Sequence, residues 1–61
     1  MSRQKLEVNQ IRHMVNANHK RVYVVIMELY GEENPLVRFL DTGTTTRFYT
    51  YNYIMRNMEL A

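Results

Sequence analysis

The sequence predicts a mainly β, or all-β, fold: a small twisted barrel of five strands. Three stretches carry that expectation. Arg21 to Tyr30 reads Arg-Val-Tyr-Val-Val-Ile-Met-Glu-Leu-Tyr, nearly all β-branched, aromatic or apolar. Both of its alternating faces are apolar, so it is central in a sheet, or curved so that it serves two faces of a barrel. Val37-Arg38-Phe39 and Thr46-Arg47-Phe48 alternate with period two around Asp41-Thr42-Gly43, which marks a hairpin. Gly31-Glu32-Glu33-Asn34-Pro35 marks the turn that joins the two regions.

Taken in order, Met1 to Lys5 is polar and reads as a loose end. Leu6 to Val15 is ambiguous. Val8, Ile11, Met14 and Val15 fit one side of an amphipathic helix. As a strand, Leu6 and Val8 alternate with polar neighbours, and Ile11 and Met14 follow a bend. The segment is therefore either the first strand or an added N-terminal helix. Asn16-Ala17-Asn18-His19-Lys20 is a loop, and Pro35 fits only where the next strand begins. In the hairpin, a two-residue Thr42-Gly43 loop pairs Phe39 with Thr46, Val37 with Phe48 and Arg38 with Arg47. A three-residue loop with a bulge at Gly43 shifts that register by one. Asn52-Tyr53-Ile54 breaks the alternation, and Ile54 with Met55 reads as a plug on a short helical turn. Met58 and Leu60 then form a last short strand, unless the whole tail is helical. The expected core is Val8, Ile11, Val22, Val24, Ile26, Val37, Phe39, Phe48 and Ile54.

Composition narrows the function classes. The 61 residues are sufficient for one domain, and the absence of cysteine excludes disulfides and thiolate metal sites. His13 and His19 do not have common zinc spacing, so no metal and no cofactor is expected. The longest apolar run, Val22 to Met27, is too short to span a bilayer. No secretory leader is evident, and a cytoplasmic setting is the simplest expectation. A net charge of +2 and a pI near 9.2 permit a nucleic-acid partner. Six of the eight basic residues are arginine, suited to bidentate phosphate contacts.

Leu6-Glu7-Val8, the long strand, the Pro-containing turn, Val37 to Gly43 and Asn52-Tyr53-Ile54 occur in an order that resembles SH3-like small barrels of the Tudor and KOW type. Phe39-Leu40-Asp41-Thr42-Gly43 is also similar to a segment in small tailed-phage β-domains that accompany homing-type HNH endonucleases. The resemblance implies an SH3-like barrel with a short helical turn before its last strand, an auxiliary binding role and a bacterial host cytoplasm. The chain departs from the pattern at Asn9, where Gly is common, and at Arg56-Asn57-Met58, where a Gly with basic residues is usual.

Catalytic readings are weak. Glu32 and Glu33 suit a solvated turn, and Glu28 suits an open edge or an arginine partner. Asp41-Thr42-Gly43 occurs once, whereas an aspartic protease joins two such segments. Met14, Met27, Met55 and Met58 read mainly as core filler. No catalytic residue is expected. The remaining constellation is Arg38, Arg47, Tyr49 and Tyr51 on the outward hairpin face, with Arg21 and Lys20 flanking. Arginine holds phosphates and tyrosine stacks on bases, so DNA or RNA is the expected partner. The alternative is a small viral inhibitor or adaptor that grips a host protein. Five tyrosines exceed what so small a core can hide, and a homodimer is expected.

Overall fold

A computed structural model describes residues 5–61. The expected loose end over Met1 to Lys5 lies outside them except for Lys5. The elements are β1 (Ile11–Val15), β2 (Arg21–Tyr30), β3 (Glu33–Phe39), β4 (Thr45–Thr46), α1 (Tyr51–Asn57) and β5 (Glu59–Leu60). The five strands form one antiparallel sheet in the order β4-β3-β2-β1-β5, which makes β2 central, as its two apolar faces require. Of the ambiguous Leu6 to Val15 segment, Ile11–Val15 is a strand and the part before it is loop and turn, with no helix.

The fold is mainly β as expected, but the sheet does not close into a barrel: among the described residues β4 pairs only with β3 and β5 only with β1. Its terminal strands, β4 and β5, are two residues each. Helix α1 instead packs across one face, contacting β3 and β5.

Turn chemistry sets the registers. In the β1–β2 loop, Asn16 Oδ1 accepts the backbone N–H groups of Asn18 at 2.9 Å and Lys20 at 3.1 Å, while His19 takes φ 62°. Gly31, at φ 65°, opens a two-residue turn between Tyr30 and its partner Glu33. Between β2 and β3 the register slips twice, around Met27 and again between Leu36 and Glu33. Pro35 sits in the second irregularity, inside β3 and buried, where a residue without an N–H costs no ladder bond. The slip at Met27 also exchanges the faces of β2. Val22, Val24 and Ile26 point to the core before it, and Leu29 packs on the core after it.

The β3–β4 hairpin corrects the expected pairing by two residues. Arg38 lies opposite Thr45, and Val37 opposite Thr46. The loop is Leu40 to Gly43, closed by Gly43 N–H to Phe39 C=O at 2.8 Å and Phe39 N–H to Thr44 C=O at 2.8 Å. A two-residue loop on Thr42-Gly43 requires φ > 0 at the β-branched Thr42, or glycine in the first place. The longer loop needs that conformation only at Gly43, whose φ is 76°. Arg38 and Arg47 are therefore not a cross-strand pair.

One face of the sheet holds the core: Leu6, Val24, Ile26, Val37, Ile54 and Met58 are buried, with Val22, Phe39, Met14 and others packed against them. Three expected core residues are corrected. Val8, at 50% exposed, lies in the turn before β1; Ile11, at 40%, points away from the core; and Phe48, at 78%, lies beyond the end of β4. The reason for Ile11 is a bulge. Asn9 N–H donates to Ile26 C=O at 2.7 Å, and Ile26 N–H donates to Gln10 C=O at 2.9 Å, so two residues oppose one. Asn9 takes φ 72°, a conformation that glycine ordinarily supplies. The bulge turns Arg12 and Met14 inward.

Arg12 is only 3% exposed. Its Nε donates to Gln10 Oε1 at 2.7 Å and its Nη1 to Met58 C=O at 3.0 Å, which ties β1 to the residue after α1. The apolar stem fills the core edge, and the cation meets the negative end of the helix.

Candidate functional site

Helix α1 begins where Thr50 Oγ1 accepts the Tyr53 N–H at 3.0 Å, and it ends with Met58 N–H donating to Ile54 C=O at 2.9 Å. That short helix seats Ile54 in the core, as the plug expected from the sequence. It also lifts Tyr53 beside Tyr49, and the two rings stack with centroids 5.2 Å apart and an interplanar angle of 22°. Phe48 meets Tyr49 edge-on at 5.2 Å, and Phe39 supports Tyr49 from the core side at 6.3 Å. Tyr53 Oη reaches Met14 Sδ at 4.0 Å. The result is a row of three rings, Phe48-Tyr49-Tyr53, anchored to the core through Phe39 and Met14. Phe48 is 78% and Tyr53 41% exposed, while Tyr49 is half-buried between them. Burial, and then the neighbouring Tyr53, hold the Tyr49 hydroxyl above its ordinary pKa.

The six residues singled out in the sequence are not brought to one face. Tyr49 is in the aromatic row. Arg47 adjoins Phe48 in the chain, but its guanidinium lies 4.3 Å from the Tyr30 ring centroid and its Nε donates to Asn34 C=O at 3.2 Å. Asn34 Nδ2 returns a bond to Arg47 C=O at 2.8 Å, so Arg47 is a fixed, exposed cation. Tyr51 is the first residue of α1, half-buried, and its hydroxyl accepts the Leu6 N–H at 3.3 Å. It braces the segment before β1 and is not on the hairpin's outward face.

Arg38 stands on the sheet face opposite the core, with its guanidinium against Gly43. Arg21, exposed at the start of β2, bonds His13 Nδ1 through Nη1 at 2.6 Å. Arginine donates, so that ring nitrogen accepts. Lys20 lies in the β1–β2 loop.

Sequence reasoning missed Phe48 as a surface group, and it missed Tyr53 and Arg56. Arg56 is exposed one turn beyond Tyr53 on α1. The β-branched Thr42 ahead of Gly43 was the available signal: it disfavours the short loop whose register places Phe48 inside.

Other features offer less. Glu28 accepts the Tyr30 hydroxyl at 3.1 Å, and desolvation followed by this bond raises the Tyr30 pKa. A shallow polar cleft of about 760 Å³ lies along Gly31, Glu32, Asn34, Thr50, Tyr51 and Asn52. Among the described residues no three His, Cys, Asp or Glu side chains gather as a metal site. No described helix is long and apolar enough to cross a membrane. No family model, curated protein or solved structure matches the chain.

Proposed function

We propose that this chain is a non-enzymatic binding module that holds single-stranded nucleic acid on Phe48, Tyr49 and Tyr53, with Arg47 and Arg56 taking phosphates. The observation that carries the reading is Phe48. A phenylalanine left 78% exposed, edge-on against a stacked tyrosine pair, costs apolar exposure that a stacking base would relieve. The arginines lie at either end of the row in sequence, one residue before Phe48 and three after Tyr53. The short helix ahead of β5 is what the resemblance to SH3-like barrels of the Tudor and KOW type leads one to expect, and the resemblance to small tailed-phage β-domains implies action in a bacterial cytoplasm. The open sheet departs from that pattern.

Fluorescence anisotropy with a labelled oligonucleotide tests the reading. Two phosphate contacts give a log–log salt slope of about −1.4, and Arg47→Ala reduces its magnitude by about 0.7. Phe48→Ala weakens binding by about 1–3 kcal/mol, the range for one stacked base. Absence of binding at low salt and tens of micromolar protein overturns the proposal.

The second reading is a protein partner, and the uncovered sheet face favours it. Ile11, Val15, Tyr23 and Leu40 are each at least 40% exposed there. A partner held by that face would bind with little salt dependence and would be insensitive to Phe48→Ala.

A further inference from the structure

The sheet has a face that α1 does not cover. Pairing places Val15 beside Arg21, His13 beside Tyr23, and Ile11 beside Val25, with Arg38 on the far side of Val25 and Glu59 on the far side of His13. Leu40 continues the same face, its N–H donating to Tyr23 C=O at 3.0 Å. The centre is thus apolar, formed by Ile11, Tyr23 and Val25. Its charges surround that centre, with Arg38 on the β3 side, Glu59 on the β5 side and Arg21 at the start of β2, where it bonds His13.

We propose that this face is the interface with a second copy of the chain, packed sheet on sheet. Three features select that occupant. The domain is a slab with Cα extents of 29 × 28 × 17 Å, and its broad side is on the scale needed to seat the roughly 800 Å² per partner of a standard stable interface. The Arg38 and Glu59 charges are self-complementary. A two-fold axis running along the strands between β1 and β2 exchanges β5 with β3, which lays Glu59 of one copy over β3 of the other, level with Leu40 and about 7 Å along the strand from Arg38, a gap that the two long side chains span. Edge-to-edge pairing is disfavoured, because β4 and β5 offer two residues each. Two such sheets at about 10 Å spacing form a sandwich whose second layer a 61-residue chain does not build for itself. The aromatic row includes the inner-face contacts Phe39 and Met14, so pairing of the outer faces leaves it accessible. Each dimer then presents two platforms to one strand, raising affinity through effective concentration.

Sedimentation velocity of the full chain, without nucleic acid, tests this proposal separately from the binding role. A dimer is expected by high micromolar concentration. Tyr23→Glu, at a position 43% exposed, weakens it at least tenfold without disturbing the core. Arg38→Glu and Glu59→Arg each weaken the dimer, and the double exchange restores it. A monomer at high micromolar concentration overturns the proposal. So does a dimer indifferent to Tyr23→Glu, a double exchange that fails to restore association, or a dimer lost on Phe48→Ala alone.

Discussion

The two faces of the central strand β2 carry side chains of similar chemistry and meet different fates. Val24 and Ile26 are 1% and 0% exposed beneath Ile54 and Met58, whereas Tyr23 on the other face is 43% exposed. Helix α1 makes the difference, and with seven residues it is long enough to cover only one side. The inner face is therefore where the chain obtains its stability. The outer face and the aromatic row are where apolar groups remain for other molecules. This division explains why a strand that looks wholly buried in sequence belongs to a sheet with one uncovered side.

Breaking the inner face gives the largest expected effect. Ile54→Ala removes the fully buried plug and costs about 2–5 kcal/mol. A domain of this length holds on the order of 3–9 kcal/mol in total, so urea or thermal melting should find the variant at or below its folding threshold. Next comes Arg12→Ala, which deprives the Met58 carbonyl of a charged donor, for about 1.5–3 kcal/mol. Thr50→Ala removes the cap that starts α1 and costs about 1 kcal/mol. The outer face provides the control: Val15→Thr, 52% exposed, should move the denaturation midpoint of the monomer by no more than about 0.5 kcal/mol.

The smallest effect is titration. Burial and the neighbouring Tyr53 raise the folded-state pKa of Tyr49 above its ordinary value of 10.0, so the unfolded chain loses that proton first. The stability this contributes is complete below pH 10 and is lost as pH rises through the raised value. Denaturation midpoints followed above pH 10 should fall, and Tyr49→Phe should remove part of the decline.

Much of this architecture was legible in the sequence, because it rests on local signals. The strand over Arg21 to Tyr30, the Gly31 turn, the Asn16 loop and the Ile54 plug each follow from residues that sit next to one another. Registers were less legible. The fate of Phe48 depended on whether Thr42 tolerates φ > 0, and two residues of slip moved that ring from the expected core to the surface. The inward turn of Arg12 depended on Asn9 substituting for glycine in a bulge, and on a carbonyl 46 positions away. Tyr51 was placed with Tyr49 by alternation, but the chain had already left the strand and entered α1. Of the residues singled out in the sequence, Tyr49 thus joins the aromatic row, Arg47 adjoins it in the chain with its guanidinium on Tyr30, Tyr51 braces the segment before β1, and Arg38 and Arg21 stand on the face opposite the core.

The division between faces is most directly tested by two-dimensional amide NMR of the ¹⁵N-labelled chain, titrated first with itself and then with a single-stranded oligonucleotide. Raising the protein concentration alone should shift Ile11, His13, Tyr23, Val25, Arg38 and Glu59. Adding oligonucleotide at fixed protein concentration should shift Arg47, Phe48, Tyr49, Tyr53 and Arg56 instead. Oligonucleotide shifts centred on Tyr23 and Val25, or one set of residues responding to both titrations, would contradict the account.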